Sequence, residues 1–162
     1  MHIILHIIMK LGYEPKIIIA GRKINDNFIN YIINKSLISI KYKFKNKKFR
    51  FLVLGLTFKE NCVDYRNSQS IKLAKKLIDK NIETHCFDPL IDVNDFNKKN
   101  KLKIYKSIKS IKKKYYHCCI VSVAHDYFKK LGNKKIRNFL LNDGLIFDVK
   151  NILSKSNKNL YL

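Results

Sequence analysis

The chain has no tryptophan, two prolines and five glycines among 162 residues. Its four cysteines, Cys62, Cys86, Cys118 and Cys119, form no Cys-x-x-Cys pair. Without that pair, or any His/Cys spacing suited to zinc, no metal site is expected. A hydrophobic content of 46% argues for a folded core that does not depend on a disulfide scaffold. Reduced thiols in a cytoplasmic protein are the simpler expectation. Long apolar runs are also missing. The opening Met-His-Ile-Ile-Leu-His-Ile-Ile-Met-Lys is too short to span a bilayer and has neither a basic start nor a small-residue cleavage site, so no membrane partner is expected. Acidic residues are scarce, 12 against 34 basic ones, which leaves a net charge of +22. That excess is nearly all lysine, is spread along the whole chain, and comes with many isoleucines, asparagines, tyrosines and phenylalanines. It is read first as the drift an AT-rich genome imposes and only second as a polyanion-binding face, so nucleic acid is not the expected partner.

What is present is an alternation of apolar runs and helical spacing, with no internal repeat. Phe49 to Leu54 is an apolar run, interrupted at Arg50, that breaks at Gly55, as expected for a parallel strand covered on both faces. From Ser68 to Lys80 the spacing is helical, gathering Ile71, Leu73, Ala74, Leu77 and Ile78. Further strands are expected over Ile82–Phe87, Leu102–Tyr105, Tyr116–Ala124 and, finally, Leu145–Asp148. A short basic helix is expected over Ser107–Lys114, and a helix or turn from His125 to about Leu140. Strands separated by helices indicate βαβ units, hence an α/β parallel sheet with right-handed crossovers. Upstream, residues 1–12 read as the tail of a helix closed by Gly12, with a turn at Tyr13-Glu14-Pro15. A longer helix is expected from Ile17 to about Ile40. It has three open fates: packing on an upstream domain, pairing with its copy in a dimer, or serving as a plain core helix. The basic stretch Lys41 to Arg50 marks the candidate domain boundary.

In open α/β sheets ligands sit beyond the carboxyl ends of the strands. Three such ends carry polar residues: Lys59 to Arg66, Asp88 and Lys150. Lys59 and Arg66 lie in one loop and together suit a phosphorylated ligand, lysine as a point charge and arginine as a bidentate fork; ordinary loop solvation is the plain alternative. Arginine is informative here because only Arg22, Arg50, Arg66 and Arg137 carry it. Asp88 resembles a ribose-binding acid, but no Gly-x-Gly-x-x-Gly precedes it, and before Pro89 it reads as a turn former. Cys62 has no histidine within its motif and is not expected to be a nucleophile. His125 reads as a capping or satisfied histidine in preference to an acid or base.

The spaced motifs Leu54-Gly-Leu-Thr-Phe-Lys-Glu-Asn-Cys-x-Asp-x-Arg-Asn-Ser and Phe87-Asp-Pro closely resemble the carboxyl-terminal domain of the UDP-glucose/GDP-mannose dehydrogenase family. With Ala20-Gly-Arg-Lys-Ile-Asn-Asp-Asn and Phe147-Asp-Val-Lys, they look most like the branch that oxidises UDP-N-acetylhexosamines, including Vi-antigen-type enzymes. The resemblance runs from about His6 to the end. It implies a Rossmann-like three-layer parallel sheet preceded by a long helix. Residues 1–43 would be the end of a central dimerising segment and 47–162 a UDP-sugar-binding domain. It further implies NAD-dependent oxidation of a sugar C6 alcohol to a carboxylate, through a thioester on a cysteine, for polysaccharide biosynthesis. By position, Phe58, Lys59 and Lys150 are implied as substrate contacts and Arg66 as the contact with NAD.

The departures are equally specific. The Gly-x-Cys-x-Gly-x-Asp motif of such enzymes would fall just before residue 1, and the NAD-binding domain would precede it; Met1 to Ile8 match the family poorly. No catalytic residue is therefore expected within these 162 residues, and the chain alone is not expected to turn over. The implied partners are a UDP-sugar and either a second copy, through residues 15–40, or a missing amino-terminal half. The alternatives are a non-catalytic dimerising remnant and a basic nucleic-acid binder.

Overall fold

The computed structural model describes residues 14–45, 48–156 and 159–161. The helix tail expected over residues 1–12 lies outside them. Among the described residues the first element is helix α1 (Lys16–Lys43). There follow β1 (Arg50–Leu54), α2 (Gln69–Asp79), β2 (Glu83–Phe87), α3 (Val93–Lys99), β3 (Lys103–Ile104), β4 (Tyr116–Val121), α4 (Asp126–Arg137), β5 (Leu140–Asp148) and β6 (Asn159–Tyr161). The six strands form one sheet in the order β3-β2-β1-β4-β5-β6, every neighbouring pair parallel. This is the doubly wound arrangement of a Rossmann-like fold. Its strand order reverses between β1 and β4, which opens a crevice there.

Alternation along the strands builds two cores. Phe51 and Val53 of β1, Cys118 and Ile120 of β4, and Leu145 and Phe147 of β5 face one side, where α1, α2 and α3 cover them. Leu52, Leu54, Cys119, Val121 and Ile146 face the other, against Phe128 and Ile136 of α4. Because both faces are covered, the strands read as continuous apolar runs in the sequence. In α2 the buried residues are Ile71, Leu73, Ala74 and Leu77, as its spacing implies, while Ile78 is exposed.

Helix α1 divides along its length. Ile29, Ile32, Ile33, Ser36 and Ile40 recur at helical spacing and are buried in the same core as the sheet. For this half the plain core helix is what forms. The first half leaves Ile17 88% and Ile24 67% exposed. Lys35 fastens the distant end of the sheet, its Nζ donating to the Tyr161 carbonyl at 2.9 Å.

Two local expectations are corrected, and one element is additional. Over Ser107–Lys114 only a single 3-10 turn, Ile108–Ser110, forms. Eight residues are too few for an unsupported helix, and Lys114 adopts a left-handed φ of 46° that ends any helical course. Leu145–Asp148 pairs regularly with Cys118–Val121, but it is not the final strand, since β6 pairs on its far side. Helix α3 was not anticipated; Asp92 caps it by accepting from the amides of Asn94 and Asp95, and Phe96 is its single buried anchor.

Burial of Ile33 predicts that Ile33→Ala costs about 2–5 kcal/mol in urea denaturation. Lys75→Ala, on the exposed face of α2, should stay within about 0.5 kcal/mol of the parent chain.

Candidate functional site

The β1 strand ends at Gly55, whose φ of +88° and approach to Val123 exclude a side chain; a Cβ there would lie 2.6 Å from the Val123 Cβ. Beyond it the chain runs through a loop to Ser68. Asn61 and Asn67 take left-handed φ values of 53° and 59°, a conformation asparagine tolerates. Two cross-ties close the loop: the Phe58 amide donates to the Asp64 carbonyl at 2.7 Å, and Ser68 Oγ donates to the Thr57 carbonyl at 3.3 Å. Ser68 also caps α2, accepting from the Ser70 amide at 3.1 Å.

Under this loop lies a polar cluster that draws on three neighbouring strand ends. Asp88, after β2, accepts at Oδ2 from the amides of Leu56 at 2.6 Å and Thr57 at 3.2 Å. Its Oδ1 accepts from the Leu90 amide at 2.9 Å, which is the turn role its sequence context suggests. His125, after β4, places Nε2 3.1 Å from Asp88 Oδ2 and 3.0 Å from Thr57 Oγ1, while its Nδ1 accepts from the Asn61 amide at 2.9 Å. Since Nδ1 is an acceptor, the ring proton sits on Nε2 and points at the carboxylate. The His125 ring is satisfied on both nitrogens, as expected, and is fully buried. Burial alone would raise the Asp88 carboxyl, but the bonds from His125 and from the Leu56 and Leu90 amides outweigh it and hold it below the usual range.

Around the crevice a cavity of about 370 Å³ is lined by Thr57, Phe58 and Lys59 after β1, Ser122 after β4, Lys150 after β5, and Asn25 of α1. The structure thus gathers Phe58, Lys59 and Lys150. The Phe58 side chain is 62% exposed over the opening. Lys150 is presented by a turn in which Asp148 accepts from its amide at 3.2 Å and from the Leu153 amide at 2.7 Å. A larger concavity of about 640 Å³, lined by Lys113, Lys114 and Arg137 among others, lies at the amino ends of β4 and β5. It is on the wrong side of the sheet for a ligand site of this fold.

Arg66 is not among the cavity residues. Its Nε and NH2 form a bidentate pair with Asp64 at 2.9 and 2.8 Å, and its side chain is 82% exposed. Arg66 draws the Asp64 carboxyl down to about 2. The two loop cations therefore diverge: Lys59 lines the cavity, and Arg66 is paired with Asp64 in solvent. The Cys62 sulfur accepts from the Asp64 amide at 3.4 Å, a turn contact with no base beside it. Asn61 and its exchange of hydrogen bonds with Asp126 (Nδ2 to Oδ2 at 2.9 Å, Asp126 amide to Oδ1 at 3.1 Å) had no signal in the sequence.

A doubly wound parallel sheet with a cationic, aromatic-edged cavity at its switch point is the Rossmann-like arrangement, in which ligands collect at that crevice. Residues 52–155 match the model of the UDP-glucose/GDP-mannose dehydrogenase family, UDP binding domain. The chain belongs to that family. It is 34% identical over 144 residues to the UDP-N-acetyl-D-glucosamine 6-dehydrogenase of Salmonella typhi, covering 88% of this chain and 33% of that one. With the enzyme of the same description from Pseudomonas aeruginosa it shares 30% identity, covering 97% and 37%. Among solved structures, the UDP-N-acetyl-mannosamine dehydrogenase Cap5O from Staphylococcus aureus superposes with a TM-score of 0.68 at 24% identity, over 92% of this chain and 33% of that chain. The chain spans about a third of the length of the curated relatives it matches.

The Asp88 cluster makes acid stability a readout. The folded carboxyl titrates below the unfolded value of about 3.9, so its contribution is present above that pH and is lost as pH falls through the folded value. Asp88→Asn should cost about 1–3 kcal/mol at pH 7. In thermal melts the deficit should shrink as pH falls through the folded value and the parent carboxyl becomes protonated as well.

Proposed function

We propose that this chain is the nucleotide-sugar-binding part of an NAD-dependent 6-dehydrogenase that oxidises a UDP-(N-acetyl)hexosamine to the uronate for polysaccharide biosynthesis. The observation that carries the reading is the convergence of Lys59, Lys150 and the amino end of α2, through Gln69 and Ser70, on one cavity. Two point charges and a helix amino terminus suit a pyrophosphate, and the Phe58 ring offers an apolar wall beside it. In this reading Phe58, Lys59 and Lys150 are the substrate contacts.

NAD enters differently. The described residues do not form a dinucleotide site: a single glycine, Gly55, follows β1, and the space its Cβ would take is filled by Val123, not left for a phosphate. NAD and the reacting thiol are therefore assigned to a part of the protein other than these residues. Arg66, exposed and aimed away from the cavity, is proposed as the one residue here that reaches NAD. No step of the oxidation is assigned to this chain.

Residues 1–43 are proposed as the end of a dimerising segment and 47–162 as the UDP-sugar domain. Exposed Ile17, Ile24, Phe28 and Tyr31 on α1 support pairing of residues 15–40 with a second copy. Reduced Cys86, Cys118 and Cys119, all buried and free, suit a cytoplasmic setting, and no helix among the described residues is long and apolar enough to cross a membrane.

Titration calorimetry tests the reading. The chain should bind UDP, and Lys59→Ala and Lys150→Ala should each weaken binding about 10-fold or more, as expected for loss of a hydrogen bond to a charged group. Mixing with a recombinant amino-terminal half should restore NAD reduction that depends on a UDP-N-acetylhexosamine. Absence of UDP binding would reject the assignment.

A further inference from the structure

Lys59, the loop cation that lines the cavity, sits on a backbone held by buried groups of its own loop and of the neighbouring strand ends. Thr57 Oγ1 donates to the Lys59 carbonyl at 2.9 Å, and the same oxygen accepts from the His125 Nε2–H at 3.0 Å. Two residues further on, the Asn61 amide donates to His125 Nδ1 at 2.9 Å. One buried imidazole thus grips the loop on both sides of Lys59, and Asp88 holds the imidazole, with Nε2 3.1 Å from Oδ2. Within this segment Thr57 is buried, whereas Phe58, Lys59, Glu60 and Asn61 are exposed. The loop has no apolar anchor between Thr57 and Asn61, so hydrogen bonds fix its course: these, the Phe58 amide to the Asp64 carbonyl and the Asn61–Asp126 pair.

Resting on the UDP-binding reading, we propose that His125 and Asp88 are positioning residues that set the backbone of Thr57–Asn61 so that Lys59 meets the ligand's phosphate. The imidazole is suited to this because one ring supplies both a donor and an acceptor about two atoms apart. The donor reaches Asp88 and Thr57, the acceptor reaches the Asn61 amide, and the ring is too rigid to let one contact adjust without the other. A carboxamide reproduces only half of this. Glutamine in its place reaches the Nε2 position but leaves the Asn61 amide without its acceptor. Thr57→Val is a gentler cut: it keeps the His125–Asp88 contact and the side-chain volume, and removes the one oxygen that joins His125 Nε2 to the Lys59 carbonyl.

The test is UDP titration calorimetry on the full chain, with thermal melts alongside, for the parent, His125→Gln, Thr57→Val, Lys59→Ala and the Lys59→Ala/His125→Gln double variant. If His125 acts through Lys59, His125→Gln and Thr57→Val each raise the Kd for UDP about 10-fold. The double variant then binds no more weakly than Lys59→Ala alone, a non-additivity that general destabilisation would not produce. Unchanged UDP affinity in a folded His125→Gln or Thr57→Val chain overturns the proposal, and so does a fully additive loss in the double variant. If His125→Gln does not fold, Thr57→Val decides alone. A parent chain that melts cooperatively and does not bind UDP overturns the underlying reading instead, and that outcome is distinct because it appears before any substitution is made.

Discussion

The Asp88 carboxylate lies among groups from β1, β2 and β4, the three strands on either side of the point where strand order reverses. Parallel strands leave their last amides aimed out of the sheet with no ladder partner, and at a crevice those donors need an acceptor. Asp88 takes the amides of Leu56 and Thr57 on one oxygen and that of Leu90 on the other. A buried carboxylate is costly unless its lone pairs are filled, and the His125 ring completes the set. The loop that leaves β1 therefore starts from a fixed base, and the cavity at the switch point inherits its shape from that base. Gly55 belongs to the same construction: only a glycine lets β1 pass so close to Val123 at the end of β4.

The strands were legible because they are buried on both faces, which turns each into an apolar run, and the helix α2 because one face alone packs. Helix α1 was legible as a helix but not in its fate, since isoleucine occurs on both its buried and its exposed positions. Ile33 and Ile24 look alike in the sequence and differ only in where the sheet lies. The short elements, α3 and β6, depend on contacts made by distant residues, such as Lys35 reaching the Tyr161 carbonyl. Lys59 and Lys150, which line the cavity, were legible as polar residues at strand ends, where ligands collect, and Phe58 only through the family resemblance. The second role of Asp88 was not visible, because a turn-forming aspartate before proline has the same sequence whether or not its other oxygen is buried. Arg66 shows the converse: sharing a loop with Lys59 says nothing about direction, and the bidentate hold of Asp64 turns it outward.

Charge alone would have been a poor guide. Lysines are spread along the whole chain, and a concavity larger than the cavity near Lys59, among Lys113, Lys114 and Arg137, is on the side of the sheet where this fold does not bind ligands. What separates the cavity near Lys59 from that region is geometry, namely strand carboxyl ends, a helix amino terminus and an aromatic edge meeting at one opening. Two lysines placed there with their backbones fixed are worth more to a diphosphate than many on a solvated face, where each interaction is screened within a Debye length of about 8 Å.

The most direct measurement of this account is a two-dimensional amide NMR titration of the chain with UDP at physiological salt. The account predicts saturable shift changes concentrated at Thr57 to Asn61, Gln69, Ser70 and Lys150, with the amides of Lys113, Lys114 and Asn138 unmoved. Changes spread over the lysine-rich surface, or centred on the Lys113–Lys114 side, would contradict it.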